Sequence, residues 1–256
     1  MPYPEYDVTH QQSGTTRVAV GDGVADDTAA IQERLDWAST NARGSVYFPP
    51  GVYLITQPLH KQNLQPIGIR GAGFSSMLPW TFDDDLFIWD GDCTDALIHD
   101  LKIVATVDMY PTSTAFNITN GVSHLWIARV KIDVDDPNTK KFGSGIRLAV
   151  SGEDPGPSMG GDVRLDDLFF WRFKGTGIEL KDVTDVRILG CRFPAINRPD
   201  SSIGIHLAGN TGGVWAENCD LLNSTTACSL RGQVSGSGTA SYLLLDALVT
   251  FQTMAW

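Results

Sequence analysis

The sequence predicts an all-β protein: a right-handed parallel β-helix of about six to eight rungs, closed at its amino-terminal end by a capping α-helix. Two observations lead there. Six segments repeat one apolar pattern along most of the 256 residues, and a shorter strand-like motif precedes each of them. A third observation, an amphipathic stretch behind a lead-in rich in glycine and aspartate, supplies the cap.

The long motif reads apolar, any, apolar, any, a turn-tolerant residue, apolar, any, apolar. Its copies are ALIHDLKI (96–103), LWIARVKI (125–132), VRLDDLFF (163–170), VRILGCRF (186–193), VWAENCDL (214–221) and YLLLDALV (242–249). The fifth place holds Asp100, Arg129, Asp167, Gly190, Asn218 and Asp246, mostly residues that bend a chain. The short motif is DLFI (85–88), AFNI (115–118), GIRL (145–148), GIEL (177–180), GIHL (204–207) and CSL (228–230) after Ala227. Alternation over four to eight residues is strand periodicity. No copy buries its apolar face alone, but stacked copies share one core. Copies begin 23 to 38 residues apart, because corner loops differ in length; SGEDPGPSMGG (151–161) and QVSGSGTA (233–240) are the longest inserts. A β-sandwich is the competing all-β reading, and it does not account for six copies in one register.

A stack of strands has an open end, which invites edge-to-edge pairing unless covered. The stretch VGDGVADD is followed by TAAIQERLDWASTNA, in which Ile31, Leu35 and Ala38 form one apolar stripe at helical spacing. A cap helix over about 27–41 follows. Asp26, Asp27 and Thr28 offer oxygens for its amino terminus, and Gly21 and Gly23 suit a tight turn. The acids do not fit an EF-hand loop, and no lysine completes a phosphate loop. Residues 1–17 read as a polar arm before a single domain, 18–256, with rungs over about 85–249.

VGDGVADDTAAIQ (20–32), GSVYFPPGVYLI (44–55) and IGIRGAG (67–73) together resemble the amino-terminal signature of the pectate-lyase-like β-helix superfamily. That signature recurs in phage tailspikes and related virion proteins, and in some polysaccharide lyases and hydrolases. The resemblance implies a β-helix with Asp22, Asp26 and Asp27 as turn and cap residues. It covers the cap and first turns and carries over no catalytic residue.

In a parallel stack, equivalent residues of neighbouring rungs lie about 4.8 Å apart, so the repeat alignment lists surface neighbours. The second place of the long motif reads Leu97, Trp126, Arg164, Arg187, Trp215, Leu243, a stripe about 24 Å long. Trp and Arg dominate binding hot spots, and Trp stacks on sugar rings. A subunit interface, intrachain cover and carbohydrate contact are the readings of this stripe. The fourth place reads His99, Ala128, Asp166, Leu189, Glu217, Leu245. Asp166 and Glu217 stand two rungs apart, about 9.6 Å, near the upper limit for an inverting glycosidase pair, with Leu189 between them. The short motif stacks Arg147, Glu179 and His206 on consecutive rungs. This is a set for acid–base work or a surface ion-pair ladder. Asp133, Asp135 and Asp136 in DVDDPN (133–138) are candidate Ca²⁺ ligands, a solvated turn being the plainer reading; no other cofactor is expected. Leu243, Leu245 and Leu248 leave the last rung apolar on its outer side, so TFQTMAW or a neighbouring subunit should cover it.

The formal net charge is −11, which disfavours nucleic acid and anionic membrane as partners. No apolar run approaches a membrane span of about 18 residues, so membrane insertion is not expected. The start MPYPEYDVTHQQSGTTR lacks the features of a Sec signal. Cys93, Cys191, Cys219 and Cys228 show no metal spacing and read as reduced structural thiols, Cys191 and Cys219 sharing one inward column on adjacent rungs.

These features, with the resemblance, lead to a phage virion structural protein of the tailspike, fibre or capsid-decoration type, assembled in the host cytoplasm. A homotrimer is expected, with other virion proteins and bacterial surface polysaccharide as partners. The alternative is a polysaccharide lyase or glycoside hydrolase, a depolymerase, secreted by a non-Sec route.

Overall fold

The computed structural model describes residues 5–41, 44–62, 67–91, 93–150, 161–194, 202–209, 211–220, 226–231 and 243–245. They form a parallel β-solenoid of about six turns with one helix near the amino terminus. Two sheets run the length of the stack, and every strand pairs in parallel with its counterpart one turn away. The first sheet has 13 strands and runs from Glu5–Asp7 through Ser45–Phe48, Gly68–Gly71, Leu97–Ala105, Trp126–Val134, Val163–Asp166, Thr184–Leu189 and Gly212–Glu217 to Leu243–Leu245. The second has seven: Leu59–Gln62, Phe87–Asp90, Thr114–Thr119, Ser144–Ala149, Thr176–Lys181, Ile203–Ala208 and Thr226–Arg231.

The interior is built from files. Ile69, Ile98, Ile127, Leu165, Ile188 and Ala216 are successive register partners, and all are buried. Facing them, Phe87, Phe116, Ile146, Ile178 and Ile205 form a second file. The rings of Phe87 and Phe116 stack with centroids 5.1 Å apart, and those of Phe170 and Phe193 with centroids 4.9 Å apart. Aromatic pairs in this offset range add about 0.5–1.5 kcal/mol to their area burial.

The bend of the long motif is a single left-handed residue per turn. Asp100, Arg129, Asp167, Gly190 and Asn218 have φ of 60°, 51°, 51°, 64° and 53°. One such residue redirects the strand so that apolar positions on both sides of it face the core. Asp, Asn and Gly enter this region at low cost. Arg129 does not, and its place is explained by its partner, described below. Asp246 lies outside the described residues.

The cap helix spans Thr28–Asn41, and Ile31, Leu35 and Ala38 are fully buried beneath it. The three acids of the lead-in are spent on local backbone and hydroxyl groups. Asp22 accepts from the amides of Val24 and Ala25. Asp26 accepts from the Thr28 amide and hydroxyl and from the Thr56 hydroxyl. Asp27, pushed upward in pKa by burial, accepts from the amides of Val20 and Gly21 at 2.6 and 3.1 Å. The stretch is therefore a turn-and-cap device.

Three expectations need correcting. From residue 5 onward the arm is not separate: Glu5–Asp7 adds a strand to Ser45–Phe48, Tyr6 and Val8 are buried, and Arg34 donates to the His10 carbonyl at 2.6 Å. The rungs also begin earlier than residue 85, since Ser45–Phe48 and Leu59–Gln62 already belong to the two sheets. Their polar LHKQ and glycine-flanked SVYF segments hide the apolar pattern. Finally, the copy DLFI is displaced by one. Phe87 pairs with Phe116 and Ile88 with Asn117, so LFIW (86–89) is the equivalent segment, and Leu86, Phe87 and Trp89 are buried.

The inserts at 151–160 and 233–240 and the tail TFQTMAW lie outside the described residues. Among the described residues no helix is long and apolar enough to cross a membrane.

Candidate functional site

The outward face of the second sheet carries the candidate acid–base cluster. Asn117, Arg147, Glu179 and His206 are register partners on four successive turns, as the repeat alignment expects for the last three. Each belongs to a strand whose neighbouring residues bury inward, such as Ile146 and Leu148 around Arg147, and strand alternation turns these four outward. Arg147 Nε stands 3.6 Å from Glu179 Oε2. Asn117 Nδ2 donates to Asp85 Oδ2 at 2.6 Å, and the other Asp85 oxygen accepts from the Thr114 amide at 2.6 Å.

This file is incompletely satisfied. Asn117 Oδ1, Arg147 Nε and His206 Nε2 are sealed from solvent and make no hydrogen bond. Leaving such an atom unpaired costs about 1–3 kcal/mol, and each calls for a reason. Three such atoms fall on one file of four residues, although Arg147 Nε also faces the Glu179 carboxylate in the ion pair. Asn117 and Asp85 were missed in the sequence reading. The signal was present in AFNI, but the displaced DLFI copy placed Phe87 beside Asn117 and concealed the polar contact.

Loops at the entry edge of the same sheet pair lysines with aspartates. Lys174 Nζ donates to Asp108 Oδ2 at 2.6 Å, and the Lys141 amide donates to Asp108 Oδ1 at 3.0 Å. Burial, then the charges of Lys174 and Arg172, lower the pKa of Lys141. Tyr110, whose amide is held by Asp83 at 2.8 Å, is 71% exposed beside them.

On the first sheet the predicted stripe is confirmed in register: Leu97, Trp126, Arg164, Arg187 and Trp215 are successive partners. So is the fourth-place file His99, Ala128, Asp166, Leu189 and Glu217. The indole Nε1 of Trp126 donates to Asp166 Oδ2 at 2.7 Å. Burial raises the pKa of Asp166, and the Trp126 hydrogen bond offsets this in part. Arg164 faces Asp162 at 3.5 Å. Asp166 and Glu217 remain separated by Leu189, and Asp166 is held by an indole, which is poor geometry for a water-activating pair.

The last rung departs from the expected alignment. Leu243 pairs with Val214, Leu244 with Trp215 and Leu245 with Ala216. Leu243 and Leu245 are thus in register with two buried residues, one place away from the stripe. The run of three leucines offers no internal cue to register, since a one-residue slip leaves an apolar residue at every place. Leu248 lies outside the described residues.

The three acids considered for Ca²⁺ do not converge. Asp133 is not in a loop but in the strand Trp126–Val134, where its carboxylate meets Lys131 at 2.8 Å and Lys102 at 3.6 Å. Asp135 pairs with Lys140 at 2.9 Å, and Asp136 accepts from Asn138 and Thr139 in a turn. Among the described residues no group of three or more His, Cys, Asp or Glu side chains is arranged to hold a metal ion. Cys93, Cys191 and Cys219 are buried free thiols, and burial pushes the Cys93 thiol up to about 12.

No curated protein matches the chain. Among solved structures it is similar to ORF18 of Geobacillus virus E2, with 16% identity over 91% of this chain and 58% of that one, at a TM-score of 0.37. It is similar also to the A-module of the Azotobacter vinelandii mannuronan C-5 epimerase AlgE6, with 16% identity, 90% and 76% coverage and a TM-score of 0.44. A third is the family GH82 iota-carrageenase of A. fortis, with 13% identity, 91% and 55% coverage and a TM-score of 0.46. The chain thus spans little more than half the length of the viral protein and of the carrageenase. At such identities no activity is transferred by likeness. The amino-terminal signature, the cap helix and the first turns coincide with a family model matched over residues 15–154, more than half of the chain, and the protein belongs to the family described as rhamnogalacturonase A/epimerase, pectate lyase-like.

Proposed function

We propose that this protein recognises a polysaccharide along the outward face of its second sheet, as a component of a bacteriophage particle. The observation that carries the reading is the file Asn117, Arg147, Glu179, His206, on four successive turns, with the side chains of Arg147 and Glu179 43% and 25% exposed on it. A glycan chain presents a hydroxyl or ring oxygen at short regular intervals. Laid along the stack, it meets one side chain per turn, at a spacing of about 4.8 Å. Tyr110 and the lysines around Asp108 flank the path. The particle role is supported by the resemblance of VGDGVADDTAAIQ and the segments after it to the signature of phage tailspikes. It brings with it a homotrimer, assembled in the host cytoplasm beside other virion proteins.

One observation favours a second reading, cleavage of the bound glycan by lysis or hydrolysis. Glu179 lies between a guanidinium and an imidazole, with Arg147 Nε at 3.6 Å and His206 one turn further on. Arg147 orients the carboxylate, and Glu179 and His206 are groups able to move a proton at a reacting oxygen or carbon.

The test is affinity electrophoresis of the intact protein in gels cast with alginate, pectin, iota-carrageenan, dextran and purified bacterial capsular polysaccharides. Retardation by at least one of them, lost in Arg147→Ala and in His206→Ala, is expected. Absence of retardation in every gel overturns the proposal. Release of reducing ends or unsaturated sugars, abolished in Glu179→Gln, distinguishes cleavage from binding alone.

A further inference from the structure

We propose a second saccharide subsite on the other sheet, where a sugar ring stacks on Trp126. Its ligand class rests on the reading of the protein as glycan-binding, but its residues are separate from the Glu179 file.

The side chain of Trp126 does not stand away from the sheet. Its indole nitrogen reaches Asp166 Oδ2 at 2.7 Å, and Asp166 is the register partner of Ala128, not of Trp126. The indole therefore reaches diagonally to the next turn, and Ala128, in the same outward file as Asp166, is fully buried. The rest of that file is His99, Asp166, Leu189 and Glu217, all larger than alanine.

The hydrogen bond satisfies the polar edge of the indole and fixes its rotamer, so what remains open is the ring surface: Trp126 is 39% exposed. Such fixing lowers the entropy lost when a ligand settles on it. A donor stands next to the ring: Arg164 lies one turn along the same file, its side chain 48% exposed. Asp166, hydrogen-bonded to the indole, adds a carboxylate at its edge.

An aromatic face beside a guanidinium and a carboxylate matches a sugar, which has an apolar ring face and a polar rim. The core of a subunit interface, by contrast, is depleted in carboxylates such as Asp166, though not in arginine or tryptophan. Trp215, three turns along the file from Trp126, or about 14 Å, places a second indole on the path of a chain that continues along the stack.

Affinity electrophoresis on the same polysaccharide gels tests this, with Trp126→Ala, Trp126→Phe and Arg147→Ala compared to the parent. Circular dichroism confirms that each variant is folded, and sedimentation velocity gives its mass. The expected result is an affinity at least fivefold lower in Trp126→Ala and partly restored in Trp126→Phe, which keeps a stacking face without the N–H donor. Unchanged retardation of Trp126→Ala, with retardation lost in Arg147→Ala, overturns this subsite and leaves the Glu179 face standing. No retardation of the parent in any gel overturns both. A fall in molecular mass of Trp126→Ala overturns the subsite in favour of a contact between copies.

Discussion

Arg129 grips Asp100 across one turn of the solenoid, its Nε and Nη2 donating to the two carboxylate oxygens at 2.7 and 2.9 Å. Both residues occupy the left-handed corner file, with φ of 51° and 60°. An aspartate tolerates that conformation; an arginine is strained by it, at a cost of about 1–2 kcal/mol. The forked ion pair offsets the strain, and His99 joins it through Nδ1 at 2.5 Å from Asp100 Oδ2.

This pairing makes acid stability legible. The hydrogen bond from Arg129 holds the Asp100 carboxyl at about 2, below the ordinary value near 3.9. A depressed carboxyl contributes stability that is full above its unfolded pKa and is lost as pH falls through the folded one. Arg129→Ala should therefore destabilise the protein by about 1 kcal/mol at neutral pH, given the partial exposure of the pair. The difference from the parent should close between about pH 4 and pH 2. Arg129→Gly should lose less, because glycine carries no penalty at positive φ. Thermal melts from pH 7 to pH 2 check both.

The ring ladder should be the most sensitive part of the core. Phe116 stacks on Phe87 at an interplanar angle of 4° and also packs against Trp89. Phe116→Ala should cost about 3–5 kcal/mol, measured by urea unfolding, and Phe116→Leu markedly less because much of the volume is retained.

Close packing of turns predicts an outcome at Gly177. A Cβ there would stand 2.5 Å from the Phe193 ring and 2.7 Å from the Gly204 carbonyl oxygen. Gly177→Ala should destabilise by about 1–3 kcal/mol, in contrast to the gain that alanine brings at an unhindered strand position. A melting-temperature series over Gly177→Ala and the parent decides it.

The cap is tested at Asp26, which serves Thr28 and Thr56 together. Asp26→Ala should cost about 1–2 kcal/mol. Asp26→Asn should cost less, since its side-chain oxygen still accepts from the Thr28 amide. Hydrogen exchange of the first helical turn gives a local readout of the same loss.

Much was legible in the sequence because a parallel stack repeats one geometric demand at every turn. The apolar places of ALIHDLKI, LWIARVKI, VRLDDLFF, VRILGCRF and VWAENC align in the sheet as they align in the text, and the bend residue of each is left-handed. The stripe of Ile31, Leu35 and Ala38 marked the cap helix for the same reason: burial on one face leaves a period in the chain. Where that period was weak, the reading slipped. DLFI and YLLLDALV each offer apolar residues at adjacent places, so local pattern does not choose between registers one residue apart. Only the pairing of Phe87 with Phe116 and of Leu243 with Val214 decides.

Between Leu97 and Glu217 the sequence alone determined which residues of the first sheet share a file, since backbone hydrogen bonding between turns sets that spacing. Tertiary structure alone decided what those residues do to one another. The indole of Trp126 crosses to Asp166, Asp133 is drawn from a supposed loop onto two lysines, and three sealed atoms of the Asn117–His206 file make no hydrogen bond. Side-chain direction and hydrogen-bond balance depend on every neighbour at once, across turns about 30 residues apart in the chain, and no local pattern carries them.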